Sequence, residues 1–102
     1  MKFAAGCVLL LGLLALPARP DGKAAYDKTC KSCHGADGAG NPAIAKMMKI
    51  TFKHLGSKEV QAKKDAELST DVTKGVGKMK PVTSLSAAEV KDVVAHLRTL
   101  KQ

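Results

Sequence analysis

Cys30-Lys31-Ser32-Cys33-His34 constrains what this chain can become more than any other run in its 102 residues. Two thiols three positions apart sit one helical turn from each other, and a histidine follows at once. Four chemistries use a cysteine pair of this spacing. In c-type haem attachment each thiol bonds one of the two vinyl groups of a single haem, and the next residue sets its imidazole beneath the iron. A thiol–disulfide redox site usually belongs to a βαβ context, and no alternating strand pattern of useful length is present. A zinc site needs four ligands, and no second cysteine pair exists to complete them. A plain structural disulfide asks only for an oxidising compartment.

Export, the histidine and a thin core agree on haem. Lys2 opens the chain, Phe3 to Leu16 is almost unbroken apolar sequence, and Pro17-Ala18 closes it before Arg19. That order is a secretory signal peptide, expected over residues 1–18 with a cut site defined to within a few residues. Residues 19–102 are then the mature domain, and a bacterial periplasm is its natural compartment. A membrane anchor would need about 20 apolar residues, so no stable insertion is expected once the leader is removed. Ala4-Ala5-Gly6-Cys7 has the letters of a lipoprotein box, but the apolar run follows the cysteine instead of preceding it. The mature domain has no Trp, one Tyr and a single Phe, since Phe3 falls in the leader. A domain this small buries little apolar surface of its own. Something other than side chains should fill its middle.

Without residues 1–18 the chain keeps 16 Lys+Arg against 9 Asp+Glu, a formal +7. An excess of this size points to nucleic acid or to acidic protein surfaces. The basic residues are spread from Lys23 to Lys101 with no arginine-rich block, and almost no aromatic residue is available to stack on bases. Nucleic acid is therefore set aside in favour of an acidic docking partner.

The helical pattern is clearest at the C-terminus. Ser86-Ala87-Ala88-Glu89 is a capping box, and Val90, Val93, Val94, Leu97 and Leu100 form one stripe, predicting a helix over 87–100. A first helix is expected after Asp21 as its cap, with Gly22, Tyr26, Cys30 and Cys33 on one face. Another is expected over 65–74, with Leu68 and Val72 inward and Gly75 as its stop. Asn41-Pro42 is a good helix start, and Ile44, Met47 and Met48 after it read as core. Residues 35–40 and 74–83 read as glycine-containing loops. The class is all-α.

If His34 binds iron, its second ring nitrogen needs an acceptor that fixes the tautomer, and the Pro42 carbonyl across the glycine-rich loop is the candidate. A sixth ligand would be His or Met. Met79 lies in Gly75-Val76-Gly77-Lys78-Met79-Lys80-Pro81, a loop free to leave helical geometry. Met47 and Met48 belong to a helical pattern, His54 to a polar stretch expected to face solvent, and His96 to the flank of the last helix, where a packing role is expected.

These features resemble class I cytochromes c of the small bacterial kind. The resemblance runs over the whole mature chain. It is carried by Cys30-Lys31-Ser32-Cys33-His34-Gly35, by Gly77-Lys78-Met79-Lys80-Pro81 and by Leu85 to Lys101. It implies about four helices and loops wrapped around one covalent haem c, with Cys30 and Cys33 as thioether residues. His34 and Met79 would be the axial iron ligands, and Pro42 the acceptor for the His34 ring. It also implies a monomeric one-electron carrier, not an enzyme, exchanging electrons with redox proteins. Lys31, Lys78 and Lys80 are candidates to meet acidic docking surfaces on those proteins. The family crosses its first and last helices with a glycine on the first and often a tyrosine on the last. Gly22 fits, and His96 stands in the tyrosine's place, so a somewhat different crossing is expected. Two alternatives share the attachment chemistry: a haem with a labile sixth site, as in a gas sensor or enzyme, and a permanent small subunit of a larger oxidoreductase.

Overall fold

Six helical segments joined by loops make up residues 20–102, the part of the chain that this computed structural model describes. The leader expected over residues 1–18 lies outside the described residues. Helix α1 is Pro20–Thr29, α2 Lys31–His34, α3 Pro42–Met48, α4 Lys58–Gln61, α5 Asp65–Lys74 and α6 Ala87–Arg98. There is no strand among the described residues, only an isolated antiparallel bridge between Val76 and Met79. No helix among them is long and apolar enough to cross a membrane.

Helix α6 organises the core. Ser86 accepts from the Glu89 N–H while Glu89 accepts from the Ser86 N–H, so both ends of the capping box are closed. Its stripe buries Val90, Val93, Val94 and Leu97, side chains worth about 1.5–3 kcal/mol each when fully buried. On one side Val93 and Leu97 pack with Ala25, Tyr26 and Cys30. On the other, Val94 packs with Val60 and Leu68, and Leu55 touches both clusters. The helix stops at Arg98, two residues short of expectation. Thr99 caps the end by donating to the His96 carbonyl, and Gln102 N–H turns away to the Gly56 carbonyl.

Gly22 is the point of closest approach between α1 and α6. A Cβ there would overlap the Asp92 carbonyl oxygen and lie 3.0 Å from its carbon and 3.4 Å from the His96 Cβ. One turn along, the Tyr26 and His96 rings meet at 4.9 Å between centroids, tilted by 46°. His96 is thus a packing residue at the crossing.

The all-α expectation holds: four longer helices are joined by two single turns, α2 and α4; α4 is set by Ser57, whose hydroxyl accepts from the Val60 N–H. Three expectations are corrected. The first helix begins at Pro20, before Asp21, and does not run through the cysteines. It ends at Thr29, and Cys30 stands at φ −121°, ψ −33°, outside helical geometry, before the chain turns again in α2. Met47 is no core residue: it is 70 % exposed. His54 is half-buried, its Nδ1 accepting from the Gly56 N–H, where solvent exposure was expected. Helix α5 spans the expected residues, with Leu68 and Val72 buried and Gly75 at φ 80° ending it.

Candidate functional site

A four-residue helix such as α2 cannot hold itself, because every carbonyl in it is a terminal one. Here the following loop supplies the donors. Gly35 N–H bonds the Lys31 carbonyl at 2.8 Å, Asn41 N–H the Cys33 carbonyl at 2.8 Å and Gly40 N–H the His34 carbonyl at 2.7 Å. The Asn41 side chain donates to the Ser32 carbonyl at 3.1 Å. Its oxygen caps α3, accepting from Ala43 and Ile44. Tyr26 reaches across from α1, its hydroxyl donating to the Gly35 carbonyl at 2.6 Å; burial is the main reason its pKa is pushed up to about 12. The cysteine–histidine turn is therefore clamped between α1 and α3, and His34 is positioned by backbone bonds on both sides of it.

Cys30 and Cys33 are both free thiols, Cys30 buried and Cys33 half-buried. Burial raises the Cys30 pKa above that of an ordinary thiol. Thiols of redox pairs are shifted the other way, towards the thiolate, so the redox-pair chemistry loses support. Among the described residues no three His, Cys, Asp or Glu side chains converge so as to hold a metal ion by themselves, which removes support for a zinc site.

His34 is buried enough that desolvation lowers its pKa, which keeps the imidazole neutral and able to ligate. Its Nδ1 is buried with no hydrogen-bond partner, so the bond to the Pro42 carbonyl is not formed in this structure. The ring meets Phe52 edge-on at 5.3 Å. Phe52 can come this close because position 40 is glycine at φ 100°: a Cβ there would lie 2.6 Å from the Phe52 Cβ. Neither Tyr26 with Gly35 nor Phe52 with Gly40 was read as part of the site. Phe52 had one visible signal, as the sole phenylalanine beyond the leader.

Met79 is half-buried in a tight turn, exchanging backbone hydrogen bonds with Val76. Gly75, where a Cβ would lie 2.9 Å from the Pro81 nitrogen, lets the turn fold back on itself. The Lys78 ammonium donates to the Met48 carbonyl at 3.2 Å, joining this loop to the end of α3. Neither α3 nor any other residue in 39–54 and 73–84 is fully buried. Ile44, Met48, Ile50, Phe52, Met79 and Val82 are instead half-buried. An orphaned imidazole nitrogen, two free thiols beside it and a half-covered apolar shell are what a large apolar prosthetic group would need.

An all-α domain built around such a turn is a protein of covalently bound haem. The comparisons agree: the cytochrome c family model matches residues 20–101, and the chain belongs to that family. A solved structure, the KustC0563 c-type cytochrome, is similar with a TM-score of 0.69 and 28 % identity, covering 80 % of this chain and 99 % of that one. No curated protein matches the chain. The molecule is thus a small class I cytochrome c with one covalently bound haem c, a haem-based electron carrier whose partners are redox proteins.

Proposed function

We propose that this chain is an exported, monomeric one-electron carrier in which Cys30 and Cys33 form the two thioethers and His34 and Met79 are the axial ligands. The haem supplies a one-electron couple at neutral pH. The clamped α2 turn carries the reading. Backbone bonds from Gly40 and Asn41 fix the plane from which the His34 ring projects, and its neutral state leaves a nitrogen lone pair for iron. Pro42 opens α3 beyond the same loop. With haem bound, the orphaned Nδ1–H would donate to the Pro42 carbonyl, fixing the tautomer. Thioether ligation by Met79 favours the reduced state and raises the potential. Ligation by both residues would leave the iron no free site for a substrate, which supports carriage of electrons as the activity. Residues 1–18 act as the periplasmic leader, and residues 19–102 are the working domain. Lys31, Lys78 and Lys80 are exposed beside the two ligand segments and suit acidic docking surfaces.

The test is expression of the full chain with periplasmic haem-attachment machinery, followed by mass spectrometry and absorption spectra. The expected product lacks the leader and carries haem that survives denaturation. Its reduced spectrum is low-spin and its ferric spectrum has the weak sulfur-to-iron band. Met79→Ala should abolish that band, while Met47→Ala and Met48→Ala keep it. Persistence of the band in Met79→Ala would refute the ligand assignment, and a high-spin wild-type spectrum would refute the carrier reading in favour of a labile sixth site.

A further inference from the structure

Phe52 stands apart from the other large apolar side chains. It belongs to neither core cluster, and it is the sole phenylalanine among the described residues. Yet it is not left to solvent. Along the irregular segment 50–54, Ile50, Phe52 and His54 are half-buried while Thr51 and Lys53 are exposed. That alternation belongs to an extended chain with one face turned inward. Lys53 is drawn outward by its ion pair with Glu59 at 2.6 Å, and the ring that Phe52 turns inward meets the imidazole of His34.

Both ends of the segment are tied. Ile50 N–H bonds the Ala45 carbonyl of α3 at 3.0 Å, and Leu55 N–H bonds the Gly38 carbonyl at 2.9 Å. Leu55 in turn packs against both core clusters. Two glycines of the loop after the cysteine–histidine turn receive the segment. A Cβ at Gly38 would lie 2.9 Å from the Leu55 Cβ, and one at Gly40 would lie 2.6 Å from the Phe52 Cβ and 2.7 Å from its Cγ and Cδ2. Only glycine permits so close an approach. The loop that seats Phe52 is also the one whose Gly40 N–H holds the His34 carbonyl at 2.7 Å, so ring and imidazole are placed by one piece of backbone. The Nδ1 of His34 is buried without a hydrogen-bond partner, although the segment that carries Phe52 is itself only half-covered.

We propose that Phe52, seated on Gly40, is a positioning residue that keeps water from the His34 imidazole and so raises the reduction potential. The inference rests on His34 as an axial ligand and deepens that reading. An apolar ring beside the ligand lowers the local dielectric, which disfavours the extra charge of the ferric state. Water admitted at the same place would solvate that charge and compete with the Pro42 carbonyl for the Nδ1–H. The edge-on contact at 5.3 Å also resists rotation of the imidazole.

Holoprotein carrying Phe52→Ser or Phe52→Leu tests the shield. The two readings are the midpoint potential from redox titration and the solvent exchange of the His34 ring N–H, followed by its hyperfine-shifted proton resonance in the ferric protein. Phe52→Ser should lower the potential and speed the exchange about ten-fold. Phe52→Leu, which stays apolar, should keep both near wild type. Leu68→Ala, a cavity in the cluster of Val60 and Val94, controls for stability: it should lower Tm without moving either reading. Wild-type potential and exchange in Phe52→Ser would overturn the shield. So would shifts in Leu68→Ala or Phe52→Leu as large as those in Phe52→Ser. A high-spin wild-type spectrum would strike the ligand assignment, and the shield with it, whereas those failures beside a low-spin wild type overturn the shield alone.

Discussion

Gly22→Ala asks whether the crossing of α1 and α6 is as close as the structure has it. The added methyl would overlap the Asp92 carbonyl oxygen and lie 3.0 Å from the Asp92 carbon. A carbonyl inside a helix cannot step aside alone, so α6 must back away by about 0.5–1 Å to regain ordinary contact. That motion pulls Val93 and Leu97 from Tyr26 and Ala25, the centre of the larger core cluster. Overpacking of this kind costs about 1–3 kcal/mol, and alanine's better helix propensity returns about 0.5–1 kcal/mol. Mid-range values leave a net loss of about 1 kcal/mol, which lowers Tm by roughly 4–8 °C in a domain of this size. Thermal unfolding of the holoprotein, followed by circular dichroism at the helix band, reads it directly. Ala24→Gly, at an exposed position in the same helix, calibrates propensity alone. If Gly22→Ala raised Tm by about what Ala24→Gly lowers it, propensity would be the whole effect and the close crossing would be refuted.

The Arg98 guanidinium donates to the backbone carbonyls of Lys63 at 2.7 Å and Gln61 at 3.0 Å as well as to Asp65. Arg98→Ala should therefore cost about 2 kcal/mol by urea titration, while Asp65→Ala, removing a partner that is 77 % exposed, should cost under about 1 kcal/mol. Equal costs would mean that the carbonyl contacts contribute nothing. His96 has its pKa lowered mainly by burial; Asp27 pulls it up and Lys23 pushes it down. The unfolded chain then binds more protons than the folded one between the lowered value and about 6.5, so stability falls as pH drops through that window. His96→Phe should flatten the difference in urea midpoint between pH 7 and pH 5; an unchanged slope would place the acid sensitivity elsewhere.

Local sequence carried a good deal of this molecule. Helix α5 was legible to its ends because Leu68, Val72 and Gly75 signal a face and a stop within a few residues. The two halves of the α6 capping box lie three residues apart, so no tertiary knowledge is needed to see them. The cysteine–histidine turn belongs to the same class, since its chemistry is set by adjacent residues. What escaped was set from outside each segment. Steps of four, four and three placed Gly22 to Cys33 on one continuous helix face. The bonds from Tyr26 to Gly35 and from Asn41 to Ser32 instead hold α2 as a separate turn. Helical spacing likewise assigned Met47 to a core. Spacing defines a face but says nothing of what covers it, and no helix packs on Met47. Phe52 is placed by Gly40, twelve residues upstream in a loop, a pairing that no periodicity records.

The same contrast explains where the cofactor belongs in the energetics. Helices α1, α5 and α6 bury one another and form a core without help. The segments 39–54 and 73–84, which hold Pro42 and Met79, have no buried side chain of their own and are joined to each other by the exposed bond from Lys78. A haem held to the first half through Cys30, Cys33 and His34, as proposed above, would offer the second half the apolar surface it lacks. Its binding free energy then becomes folding free energy for that half. On that assignment the covalent motif that the sequence announces would also be the means by which the less cohesive half is ordered.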